Sequence, residues 1–198
     1  MGNAGYSAIS NDSRVRILHL LQERPARTVS ELSEATELHA NTIREHLQRL
    51  IDGGYIVAAT EHRTTRGRPR VLYTATGHDA ASSPVAQRKA REAAIRGDLF
   101  RRLWPAATAL PEEAVHQLDA LVDDLEGAGF SPVVDEQALT VDLSPCPQAA
   151  AGARDVRCTV HLGLMDGVLT SACGPLRAQN IRPSERPTDC VVQLAVVP

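Results

Sequence analysis

Along the first third of the chain, apolar residues recur at helical spacing and are interrupted by capping and turn residues. Val15, Leu18 and Leu21, flanked by Ile17 and Leu20, form a broad stripe over 13–21, with Asp12 the expected N-cap and Pro25 the stop. Thr28-Val29-Ser30-Glu31 has capping-box spacing, in which a hydroxyl and a carboxylate each accept from the other's backbone N–H. It opens a short helix with Val29, Leu32 and Ala35 inward. After a break over 37–40, Asn41 is expected to cap a longer helix whose Ile43, Leu47, Leu50 and Ile51 stand at i, i+4, i+7 and i+8. Gly53-Gly54 ends it. Two strand-like runs, 55–60 and 71–75, then flank a polar hairpin over 61–70.

Beyond a polar linker at 78–83, a helix is predicted from Pro84 to Trp104. Ala86, Ala90, Ala93, Gly97, Phe100 and Trp104 lie along it at spacings of 4, 3, 4, 3 and 4. A heptad seam of small residues permits close helix approach, and the reading favours a dimer contact there over packing within one subunit. Pro111, followed by Glu112 and Glu113, starts a further helix with Val115, Leu118, Val122 and Leu125 inward. A hairpin over 130–143, a helix over 155–172 and strands over 176–182 and 190–197 complete the pattern. The expected fold class is α+β, with ferredoxin-like layering in the last part.

Charge changes this picture. Residues 1–78 carry ten arginines against eight acids, or +2, while 79–198 carry eleven basic residues against sixteen acids, or −5. The front is basic and the back acidic. Four of the arginines, Arg63, Arg66, Arg68 and Arg70, sit on the 61–70 hairpin, where they can reach phosphates or enter a minor groove. Nothing approaches the ~18 consecutive apolar residues of a membrane span. The N-terminus lacks a secretory layout, so a cytoplasmic protein without a membrane partner is expected.

Two helices joined by a short turn, followed by a basic hairpin, are a helix-turn-helix with a wing. The runs LHANTIREHLQRLIDGGYI and RGRPRVLYTAT resemble winged-helix regulators of the ArsR and DeoR type. Within these, the similarity is to SufR-like iron–sulfur repressors that carry a C-terminal cysteine domain. The resemblance implies a winged-helix DNA-binding domain over 1–77, a linker and dimerisation helix over 78–108, and an α+β sensor domain over 109–198. It implies a homodimer on a palindromic double-stranded operator, acting as a repressor. Asn41, Thr42, Arg44, Glu45 and Gln48 are then the base-reading candidates, since Arg suits guanine, Gln suits adenine and Glu accepts from cytosine.

All four cysteines, Cys146, Cys158, Cys173 and Cys190, lie in the last third, separated by eleven, fourteen and sixteen residues. No CxxC pair occurs, so zinc ribbons and fingers are excluded, and only a folded domain could bring these thiols together. His161 follows Cys158 by three residues on the same helix face. The segments SPCPQ, RCTVHLGLMDG and DCVVQL match the cysteine pattern of the SufR-like group. The ligand set this implies is Cys146, Cys158 and Cys190, with His161 preferred as fourth ligand and Cys173 the alternative. An iron–sulfur cluster is favoured over a structural zinc ion because its potential and lability suit a sensor.

The sequence has no Gly-rich phosphate loop, no G-x-S-x-G and no H-E-x-x-H, so no enzyme is expected. Gly163 and Gly167 read as a close-packing pair. Competing readings are a zinc-stabilised or thiol-redox regulator and a regulator of a small organic effector. Three Phe or Trp residues in all argue against an aromatic-lined pocket.

Overall fold

The computed structural model describes residues 11–61, 69–77, 83–105, 108–146, 154–182, 186 and 188–197. Helices α1 (Asp12–Glu23), α2 (Val29–Thr36) and α3 (Ala40–Gly53) lead into strands β1 (Ile56–Thr60) and β2 (Val71–Ala75). Helices α4 (Pro84–Leu103) and α5 (Glu112–Gly127) follow. Then come β3 (Val133–Asp135), β4 (Thr140–Asp142), α6 (Arg154–Ser171), β5 (Leu176–Ile181) and β6 (Val191–Val196). The α+β class is as read from the sequence.

Caps set the front helices, with two shifts. Asn11, not Asp12, caps α1, its side chain accepting from Arg14 N at 3.1 Å, and the Asp12 carboxylate pairs instead with Arg157. At α3 the cap is His39, whose Nδ1 accepts from Asn41 N at 3.2 Å, so Asn41 lies inside the first turn. An imidazole nitrogen can accept a helical N–H as a carboxamide does, and this frees Asn41. The capping box of α2 forms as expected, with Thr28 N donating to Glu31 Oε2 at 2.7 Å and Glu31 N to Thr28 Oγ1 at 3.3 Å. Gly54 closes α3 at φ 84°, a left-handed conformation that glycine adopts without steric cost.

β1 and β2 form the hairpin, from Ile56 opposite Ala75 to Thr60 opposite Val71. Arg27 adds a short third strand by exchanging hydrogen bonds with Tyr73 at 3.1 and 2.8 Å. In the back half, an antiparallel four-stranded sheet has the order β3-β4-β6-β5, two hairpins laid side by side with α6 as their connection. The larger apolar core runs from Ile17, Leu18 and Leu47 through Leu121 to Val160, Leu169 and Val192. The front and back units therefore share buried surface.

That continuity corrects the expected seam on α4. Ala90 and Ala93 are buried against Ala120, Val168 and Ala172 of the same chain, and a Cβ at Gly97 would collide with the Asp119 carboxylate. The small residues do allow close approach, but the helices approached are α5 and α6. Arg101 locks α4 to α5 through paired bonds to Asp119 at 2.9 and 2.7 Å. What α4 leaves outside is Phe100 and Trp104, the last two residues of that seam, together with Ile95, Leu99 and Leu103, each 58–69% exposed. The Phe100 and Trp104 rings stack at 6.2 Å. Among the described residues no helix is long and apolar enough to cross a membrane.

Candidate DNA-reading face and cysteine site

Helix α3 is strongly two-sided. Ile43, Leu47 and Leu50 are buried, which turns Asn41, Arg44, Glu45 and Gln48 to solvent, with Thr42 half-buried beside them. Three of these side chains, Asn41, Arg44 and Gln48, are held within the helix. Arg44 Nη1 donates to Asn41 Oδ1 at 2.8 Å, and Gln48 Nε2 donates to Asp52 Oδ1 at 2.8 Å. Contact with a base edge therefore requires exchanging an intrahelical bond for an intermolecular one, which lowers the net gain.

Sequence reasoning missed Arg49, although it stands one heptad beyond Thr42, a spacing that could have revealed it. It is exposed, and its charge acts on the half-buried His46. Burial, first, and then the charges of Arg14 and Arg49 hold the His46 imidazole below its usual pKa. The exposed charges of α3 cancel, with Arg44 and Arg49 set against Glu45 and Asp52. In the wing the ladder extends past β1, Glu61 N donating to Arg70 O at 2.8 Å, and Arg70 is exposed. Arg63, Arg66 and Arg68 lie outside the described residues.

In the back half, backbone bonds draw two distant segments together. Cys146 N donates to Thr188 O at 2.7 Å, Cys190 N to Ser144 Oγ at 2.9 Å and Leu143 N to Cys190 O at 2.8 Å. The Cys146 and Cys190 thiols share a hydrogen bond, and Cys158, in the early turns of α6, is close enough to act electrostatically on both. The hydrogen bond to Cys146, burial and the two neighbouring sulfurs raise the Cys190 thiol well above its usual range. Burial is the main cause of the rise at Cys158, with Arg154 opposing it. Three sulfurs up to 44 residues apart in sequence thus lie within electrostatic reach of one another, and a metal binding Cys158 or Cys190 would have to displace a thiol proton. Among the described residues, no three His, Cys, Asp or Glu side chains are already arranged to hold a metal ion.

The two fourth-ligand candidates are placed differently. His161 stacks on Phe130, with ring centroids 4.8 Å apart, and burial drives its pKa down to about 4. Cys173 is exposed just past the end of α6 at φ 58°, roughly 20 Å from Cys158 along the helix axis.

Helix α6 also touches the front unit along its length. Arg157 pairs with Asp12, and Gln22 Nε2 donates to Val160 O at 3.2 Å. A Cβ at Gly163 would collide with the Gln22 side chain, and one at Gly167 would lie 2.7 Å from the Thr76 carbonyl oxygen. The glycine pair is a packing device against α1 and the end of β2.

Residues 11–57, which comprise α1, α2, α3 and the start of β1, match the family described as bacterial regulatory protein, arsR family. Neither the curated proteins nor the solved structures compared with the chain gave a match.

Proposed function

From a DNA-binding transcriptional regulator with its helix-turn-helix at residues 11–57, we propose a homodimeric repressor of a palindromic operator whose DNA binding is controlled by an iron–sulfur cluster in the back half. The observation that carries the cofactor reading is the convergence of Cys146, Cys158 and Cys190. Their donor chemistry fits a thiophilic centre, and these three thiols would hold it. His161 is the preferred fourth donor, since it shares α6 with Cys158 one turn away, and Cys173 is the reserve. When bound, the cluster would supply a redox-labile group whose loss can be sensed.

The protein's own part is mechanical. Cys158 lies on the helix whose neighbouring residue Arg157 holds Asp12 and whose Gly163 and Gly167 rest on Gln22 and Thr76. A change in the seating of α6 reaches both α1 and the base of the wing. The switch works only if the occupied site favours one of two arrangements. Replacing Cys146, Cys158 or Cys190 by Ser should each abolish retention of iron and sulfide after anaerobic purification, with loss of visible absorption. His161→Ala should lower iron per chain, whereas Cys173→Ser should leave it unchanged. A colourless, iron-free wild-type protein overturns the cluster reading. The Cys146–Cys190 hydrogen bond favours, as the second reading, a thiol–disulfide switch, which would appear as loss of two free thiols on mild oxidation.

On DNA, Arg44→Ala and Gln48→Ala should each lose ~1–3 kcal/mol on an operator selected from random duplexes, and little on random DNA. Replacing Arg66, Arg68 and Arg70 together by Ala should weaken both. It should also flatten the slope of log affinity against log salt by up to ~0.9 for each phosphate no longer neutralised. Equal losses on both DNAs for the α3 variants would limit those residues to backbone contact. An unchanged salt slope would remove the wing from the interface.

The dimer contact is assigned to the exposed stripe of α4. A two-fold operator requires two helix-turn-helix units, and five large apolar side chains on one helix are otherwise left in water. Leu99→Asp should give a folded monomer in sedimentation velocity that binds single half-sites. A wild-type protein that is itself monomeric, or a Leu99→Asp protein that stays dimeric, sinks this assignment.

A further inference from the structure

Where the end of α3 meets α4, α5 and α6, the chain encloses a cavity of about 260 Å³, near the lower limit for small-molecule sites. Gly53, Gly54 and Tyr55, the cap of the DNA-facing helix, form one side of it. Ala90, Ala120 and Gly167 on the other side are too small to fill it. Tyr55, Lys89 and Asp124 meet in this space, and Thr76, whose hydroxyl donates to Gly54 O at 2.8 Å, also lines it. The Tyr55 hydroxyl is hydrogen-bonded to the Asp124 carboxyl. Lys89 Nζ donates to Gly53 O at 2.9 Å and stands 5.6 Å from the Tyr55 ring centroid, and its charge acts on Asp124. Burial raises both the Asp124 carboxyl and the Tyr55 hydroxyl above their ordinary values.

Lys89 is the single lysine among 21 basic residues of the chain. At this one place a compact ammonium replaces the guanidinium used everywhere else. An arginine fork would occupy the space, whereas the ammonium donates to Gly53 and keeps two N–H groups for something else. At the rim, Asp123 is paired with Arg96 at 2.5 Å. With Lys89 set against Asp124 and Arg96 against Asp123, the site is electrically balanced. A charged ligand would lose its hydration without finding an unmatched opposite charge. An uncharged head that both accepts and donates is matched on both sides.

We infer that this cavity binds a small uncharged organic molecule with an amide head on an apolar body, the head accepting from Lys89 and donating to Asp124, and that α3 responds through Gly53 and Gly54. The response rests on the DNA-binding reading above, whereas the binding does not. Benzamide, benzoate and benzylammonium share one ring and differ in the charge of the head, so they serve as probes for calorimetric titration of the full-length protein. Benzamide should saturate, with an affinity at least ~10-fold above either charged probe, as expected when a hydrogen bond to a charged group is gained. Lys89→Met, which keeps the stem and removes the donor, should weaken it by a similar factor, and Ala120→Leu should abolish it by filling the space. If Ala120→Leu does not fold, Lys89→Met decides. Absence of saturation by benzamide, preference for a charged probe, or undiminished binding to Lys89→Met overturns the site. Benzamide should also change duplex affinity in wild type and not in Lys89→Met. Binding without that change overturns the response through α3, and a protein that binds no duplex at all overturns the functional reading while leaving the site standing.

Discussion

Gln117→Leu is expected to cost ~2–5 kcal/mol of stability. Gln117 is fully buried on α5, and its amide joins three elements. Nε2 donates to Leu169 O at 2.7 Å and to Leu176 O at 3.0 Å, while Oε1 accepts from Leu176 N at 2.7 Å. Leucine has a similar volume, so the cavity term is small and the loss arises from Leu169 O and Leu176 N losing their Gln117 partner in an apolar interior, whereas Leu176 O still accepts from Arg177 Nη1 at 2.7 Å. Gln22→Leu is the matched comparison. That side chain is half-buried and makes one bond to Val160 O, and its loss should cost ~1 kcal/mol. Urea unfolding of both variants checks this, and similar midpoints for the two would show that the Gln117 bonds are replaceable. A lower midpoint with unchanged slope places the effect in the folded state.

Gly167→Ala should destabilise by ~1–3 kcal/mol, although alanine is the better helix former by ~1 kcal/mol. The added methyl would lie 2.7 Å from the Thr76 carbonyl oxygen, which is backbone and cannot swing away as a side chain could. Gly77, at φ 89°, approaches as closely from the other side, since its own Cβ would lie 2.7 Å from Gly167 Cα. Either α6 or the base of the wing must therefore move. For a chain of this length, a loss of ~2 kcal/mol corresponds to a melting temperature lower by roughly 4–8 °C. Because Thr76 follows β2 directly, duplex affinity should fall as well, and by more than in a variant of equal stability loss placed in the β3–β4 hairpin, such as Val141→Ala. Equal DNA affinity in the two would mean that the wing does not sense α6.

The elements of the front half were legible because each was specified locally. A capping box, a 3.6-residue apolar period and a glycine pair act within a few residues of one another, so no distant contact was needed to place α2 or α3. The errors there were a shift of one residue at Asn11 and of two at His39, where two nearby polar residues could each serve as the cap. The short strand at Arg27 was invisible because one residue pairing with Tyr73 leaves no periodic trace. Helix α6 and the last two strands were also placed to within one residue at each end, and Gly163 and Gly167 were recognised as packing residues.

Tertiary structure alone decided which surfaces meet. An alanine stripe on α4 states that some backbone comes close, not whose, and here α5 and α6 of the same chain take that place, leaving Ile95, Leu99 and Leu103 outside. Likewise, cysteine spacing could raise the possibility of a shared site, but grouping Cys146 with Cys190 depends on bonds between 143–146 and 188–190 across the sheet edge. His161 had the right spacing from Cys158, yet its ring packs on Phe130, a residue thirty-one positions earlier. Local propensity fixes elements through interactions between near neighbours. Partners, cavities and the use of Lys89 depend on contacts between residues far apart in sequence, for which periodicity carries no signal.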